Sequence, residues 1–134
     1  MSAIASSDDL ERLGALIAIP DCPANVTAVT LAHLAAWKPL IERLAFEKPA
    51  EAEEAAGLVV CIGQATGDDA CRGLSLWIGA NVRFILDRPL DALRQFEEAE
   101  TLYRARGETL QIARLSVGKI SALDKLGRYD EARA

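Results

Sequence analysis

Residues recur in this chain at a fixed spacing of 40. Ala132 is preceded by Ala92 and Ala52, Leu126 by Leu86 and Phe46, and Tyr129 by Pro89 and Pro49. Gly107 is preceded by Gly67, and Trp77 by Trp37. A constant period in this range marks a stack of like units, none of which buries its apolar face alone. Few folds satisfy that condition, and stacks of helix pairs are the commonest. Composition agrees: the 51% hydrophobic content rests on Ala, Leu, Ile and Val, with only 5% aromatics, which suits close-packed helices better than sheets. The fold class expected is all-α, a superhelical solenoid of antiparallel helix pairs.

Residues 1–7 are small and polar and are expected to be disordered until Asp8 and Asp9 cap a first helix running to about Ile19. Pro20 and Pro23 stop it, residues 20 to 25 form a loop, and Asn25 or Thr27 caps the next helix. The helical domain then spans 8–134, with units at about 26–67 and 68–107 and an incomplete one at 108–134. The first unit's leading helix, about Val26 to Phe46, should kink or break at Pro39, which removes one backbone donor. Lys48-Pro49 then turns the chain into a helix from about Ala50 to Ala65.

The run GLVVCIGQATG from Gly57 to Gly67 has the look of a buried strand and a glycine loop. Its glycines, however, fit neither GxGxxG nor GxxxxGK[ST]. The 40-residue match lays it over the strongly helical FEEAETLYRARG, so it is read as helix. Ala92, Phe96, Ala99 and Tyr103 form one stripe of the partner helix. Leu126-Gly127-Arg128-Tyr129 reads as the third turn, after which Asp130 opens a seventh helix that the sequence does not finish. Six helices and the start of a seventh are therefore expected.

A net charge of −5 and a pI near 4.9 argue against nucleic acid as a partner, since such binding draws on basic groups displacing counterions. No apolar run approaches the ~20 residues needed to span a bilayer. No secretory signal opens the chain, so a cytoplasmic protein with no membrane partner is expected. Cys22, Cys61 and Cys71 form no CxxC pair, and with a lone His33 they assemble no metal site; they are expected as small buried residues. No nucleophile can be tied to His33, so no catalytic residue, cofactor or enzyme activity is assigned. The acidic groups Glu51, Glu53, Glu54, Glu97, Glu98 and Glu100 are expected on a solvated outer face.

The turn Leu126-Gly127-Arg128-Tyr129-Asp130-Glu131-Ala132 resembles the tetratricopeptide repeat, in which Gly-x-Tyr-x-x-Ala joins the two helices of a unit. The other turns keep the alanine, Ala52 and Ala92, but replace the glycine and tyrosine. The ALxxxGRYDEA pattern and YRARGE helix end look like long-period bacterial arrays beside CHAT protease domains or in MalT-type transcription regulators. That resemblance implies a scaffolding or regulatory module that binds a peptide segment or a neighbouring domain in a concave groove. The alternative it implies is an array that senses a small-molecule effector. The family's groove columns fall on Leu34, Trp37 and Ile41, on Leu74, Trp77, Asn81 and Phe84, and on Arg114, Val117, Ser121 and Asp124. Asn81 occupies a column where some members hold a peptide carboxylate, but the Lys and Arg companions of that clamp are missing. Without a polar cap on the third unit, a homodimer through residues 110–126 is expected.

Overall fold

The computed structural model describes the backbone of residues 6–19 and 22–133, with side chains as far as residue 128. The fold is all-α. A first helix α1 (Ser7–Ile17) and a 3₁₀ turn (Val26–Ala28) lead into α2 (Leu31–Glu47), α3 (Pro49–Ala65), α4 (Asp69–Ile85), α5 (Pro89–Ala105) and α6 (Thr109–Arg133). The helices α2 to α5 are each 17 residues long. After α2, links of one to three residues fold each helix back on its predecessor. Helix α4 is central: it packs on α2 and α3 on one side and on α5 on the other, and it touches α6.

Local chemistry sets the boundaries. Pro49 and Pro89 open α3 and α5 at the first helical turn, where a missing N–H costs nothing. Gly67 and Gly107 adopt φ of +73° and +69° in the links that follow α3 and α5, the left-handed region in which a side chain is strained. Ser6 rather than Asp8 or Asp9 caps α1, in a capping box closed by the Asp9 carboxylate. The cap of α2 is Thr30, later than Asn25 or Thr27. His33 completes that box, its Nδ1 accepting from the Thr30 N–H at 2.9 Å. The segment Gly57 to Ala65 is helical, within α3.

Two expectations about breaks are corrected. Helix α2 runs unbroken through Pro39; Ala35, whose carbonyl loses its partner there, lies on the exposed side and can be hydrated. Helix α6 runs through the expected turn at 126–129, so there are six α-helices and no separate seventh among the described residues. Every other link after α2 holds a proline at the next helix start or a positive-φ residue, and 126–129 has neither. Arg128 instead bonds Asp124 one turn back at 2.9 Å, a pairing that continues the helix. The side chains of Tyr129 and Ala132 lie outside the described residues, as do residues 1–5.

The core forms two clusters that meet at α4. Leu10, Leu13, Leu34, Trp37, Ile41, Val59, Ile62, Ile78 and Val82 belong to the first, and Leu76, Ala80, Ala92, Phe96, Ala99, Tyr103, Leu115 and Ala122 to the second. Ala52 and Ala92 are fully buried. The crossings are close enough to require glycine: a Cβ on Gly63 would lie 2.1 Å from Ser75 Oγ, and one on Gly118 2.5 Å from Phe96 Cζ. Three of the acidic residues that sequence reading set on a solvated face also tie helices together at the surface. Arg12 on α1 bonds Glu54 on α3 at 2.7 Å, Arg88 bonds Glu53, and Lys119 on α6 bonds Glu100 on α5 at 3.0 Å. The hydrogen bond from Arg12 holds the Glu54 carboxyl below its ordinary range.

Candidate interaction surface

The 40-residue spacing holds in the structure from α3 onward. Helices α3 and α5 begin at Pro49 and Pro89, and α4 and α6 at Asp69 and Thr109. Between α2 and α4 it fails: they begin at Leu31 and Asp69, 38 residues apart, because a single residue links α2 to α3 whereas three link α4 to α5. A slip of two residues turns a helix face by about 200°. The two tryptophans therefore do not share a column. Trp37 stands level with Ser75 and is 3% exposed in the core, stacked on His33 at 5.8 Å. Trp77 stands level with the exposed Pro39 and is itself partly exposed.

This slip decides which of the expected groove residues can meet a partner. Leu34, Trp37, Ile41 and Leu74 are buried core and line no groove. Trp77, Asn81 and Phe84 lie on the side of α4 opposite Gly79 and are partly exposed. On α6, Arg114, Val117 and Asp124 are exposed and Ser121 partly so. Phe46, 38 residues before Phe84 and 75% exposed, is the aromatic that sequence reading missed.

The wall around Trp77 is more polar than its sequence suggested. Lys38 Nζ sits 5.3 Å from the centre of the Trp77 ring and 2.9 Å from Glu42. Asn81 Nδ2 donates to Glu42 Oε2 at 2.6 Å, so the amide already holds a carboxylate of its own chain. The edge of Trp77 meets Tyr103, whose hydroxyl burial pushes up to about 12. Beyond Phe84, Lys125 caps the ring face at 4.6 Å and bonds Asp87 at 3.2 Å.

The apolar surface lies farther along, on α6. Its inner face, Leu115, Gly118 and Ala122, packs on α5. On the outer side Leu110, Val117, Ile120 and Leu123 are 62%, 69%, 64% and 48% exposed. The 40-residue register explains the position of this stripe. Leu76 and Ala80, the α4 residues that α5 covers, correspond to Ser116 and Ile120 on α6. Within the stripe, Ile120 thus stands where Ala80, one unit earlier, receives a helix, and Val117 stands level with Trp77, whose ring meets Tyr103 of α5.

Other candidate chemistry disperses. His33 is a capping group, and among the described residues no three His, Cys, Asp or Glu side chains converge to hold a metal. Cys71 is buried, but Cys22 and Cys61 are exposed, contrary to expectation; all three are free thiols. Burial pushes the Cys71 and Cys22 thiols up. No helix among the described residues is long and apolar enough to cross a membrane. No family model, curated protein or solved structure matches the chain.

Proposed function

We propose that this protein is an interaction module, a tetratricopeptide-like array that uses the outer face of α6 and the adjoining α4 wall to hold a helical segment of a partner protein. The observation that carries the reading is the stripe of Leu110, Val117, Ile120 and Leu123. Ile120 within it stands level with Ala80, where α4 receives α5, and apolar patches of this kind mark docking sites. An amphipathic helix running antiparallel to α6 would cover it, as α5 covers α4. Alone in solution, the same face would meet a second copy, giving a weak homodimer through residues 110–126. The reading assigns the chain no reaction, and free exposed thiols fit a reducing cytoplasm.

The polar wall of Lys38, Glu42 and Asn81 favours one second reading, in which the array senses a small effector beside Trp77. Amide hydrogen exchange at low and high protein concentration separates the two. Docking through α6 predicts protection that grows with concentration and is confined to residues 110–124. Exchange independent of concentration throughout α6 would count against the interaction reading, and Trp77 fluorescence that responds to small solutes alone would favour the sensor.

A further inference from the structure

On the side of α4 away from Trp77, the residues Arg72, Gly79 and Arg83 share one stripe, at i, i+7 and i+11, facing the furrow between α3 and α5. The two arginines differ sharply in their surroundings. Arg72 is satisfied from within the chain, Nε donating to Gln64 at 2.8 Å and Nη1 to Asp69 at 3.0 Å. Arg83 makes no ion pair among the described residues, and its Nη1 is buried without a hydrogen-bond partner.

Arg83 opens onto a cleft of about 330 Å³ whose other walls are Arg88, Asp91, Arg94, Gln95 and Glu98. Gly79 makes room for the Gln95 amide, which lies 3.0–3.1 Å from where a Cβ would stand. The Oε1 of that amide is also buried without a partner. The residues that carry one orphan donor and one orphan acceptor therefore line the same cleft, and such groups are rarely left unmet in a folded chain. Arg88 is committed to Glu53 on α3. Among the described residues Arg94, Asp91 and Glu98 pair with nothing, although they follow one another along a single side of α5.

Water hydrates the exposed Arg94, Asp91 and Glu98, but a ligand seated beside the two orphan atoms must also meet charges of both signs around it. A simple anion would be drawn to Arg83 and Arg94 and repelled by Asp91 and Glu98. A molecule carrying both charges satisfies the whole set. We propose that this cleft binds a small zwitterion of the α-amino acid class. Its carboxylate takes the forked N–H groups of Arg83 and Arg94, and its ammonium donates to Gln95 Oε1 beside Asp91 and Glu98. The cleft volume falls at the small end of ligand sites.

Glycine is the minimal probe, with acetate and methylammonium as its two halves at matched ionic strength. In NMR titrations of the whole chain, glycine in the millimolar range should shift the Gln95 side-chain amide and the Arg83 Nε–H. Each half should bind at least ~10-fold more weakly. Arg83→Gln should abolish the response while Arg72→Gln keeps it, and Asp91→Asn, on the exposed side of α5, should weaken it should Arg83→Gln not fold. No response to glycine overturns the proposal. So does an equal response to acetate, which would define a plain anion site, and so does a response that survives both Arg83→Gln and Asp91→Asn.

Discussion

Gly57→Ala and Gly63→Ala make the same chemical change on the same helix, α3, and should move stability in opposite directions. Replacing glycine by alanine inside a helix gains about 1 kcal/mol from backbone propensity. At Gly57 nothing lies within 4 Å of the added carbon, so that gain is kept. At Gly63 the new Cβ would stand 2.1 Å from Ser75 Oγ, 2.4 Å from Ser75 Cβ and 3.0 Å from the Cys71 carbonyl. The hydroxyl can rotate away, but the other two atoms are fixed by the α4 backbone, so α3 and α4 must separate. Overpacking of this kind costs about 1–3 kcal/mol, and with backbone-fixed atoms in the way the upper half applies, leaving a net loss of ~1–2 kcal/mol. Urea unfolding followed by helical circular dichroism reads both: the midpoint should rise for Gly57→Ala and fall for Gly63→Ala, with unchanged slopes. Adding Ser75→Gly to Gly63→Ala should restore part of the loss, a non-additivity of at least ~0.5 kcal/mol. Midpoints that move in the same direction, or a Gly63→Ala protein as stable as the parent, would refute the crossing described here.

Three further expectations follow from the packing. Ala92→Leu places a large side chain in a fully buried position and should cost about 1–3 kcal/mol, visible as a Tm lowered by several degrees. Thr30→Ala removes the acceptor of the α2 capping box and should cost ~0.5–2 kcal/mol in the same assay. Tyr103, held neutral by burial, should ionise near pH 12 rather than 10. Its folded pKa lies above the unfolded one, so its contribution is fully present below pH 10 and is lost as pH rises through the window from 10 to 12. Loss of helical signal in alkali should therefore begin in that window and move to higher pH in Tyr103→Phe; onset at the same pH in both proteins would refute this assignment.

The sequence carried much of this fold because helical period and link chemistry are local. The helical reading of Gly57 to Gly67, the stops at Gly67 and Gly107, and the buried Ala52 and Ala92 all follow from periodicity and backbone preference. The misplaced features depend on counts and contacts that lie elsewhere. Trp37 and Trp77 match in number, but the one-residue link at Lys48 slips α2 by two positions, sending one ring into the core and leaving the other partly exposed. The same slip hides Phe46, which lines up with Phe84 only at a spacing of 38. The turn at 126–129 rested on a likeness to Gly-x-Tyr; without a proline or a positive-φ residue there, helical propagation wins. The Arg83 cleft left no sequence signal, since Gly79, Arg83 and Gln95 acquire meaning only where α3, α4 and α5 meet.

Docking through the outer face of α6 is tested most directly by sedimentation velocity of the parent chain beside the Val117→Glu, Ile120→Glu double variant. Covering four half- to two-thirds-exposed aliphatic side chains on each of two copies returns roughly 7–15 kcal/mol, against about 4–15 kcal/mol for loss of rigid-body freedom. A weak, reversible dimer is expected, with a weight-average sedimentation coefficient that climbs from monomer toward dimer as concentration rises. The double variant should keep its helical signal, because both positions are exposed, and should remain monomeric throughout. A parent chain that stays monomeric at the highest concentration, or a variant that associates as the parent does, would contradict the assignment of α6 as the docking face.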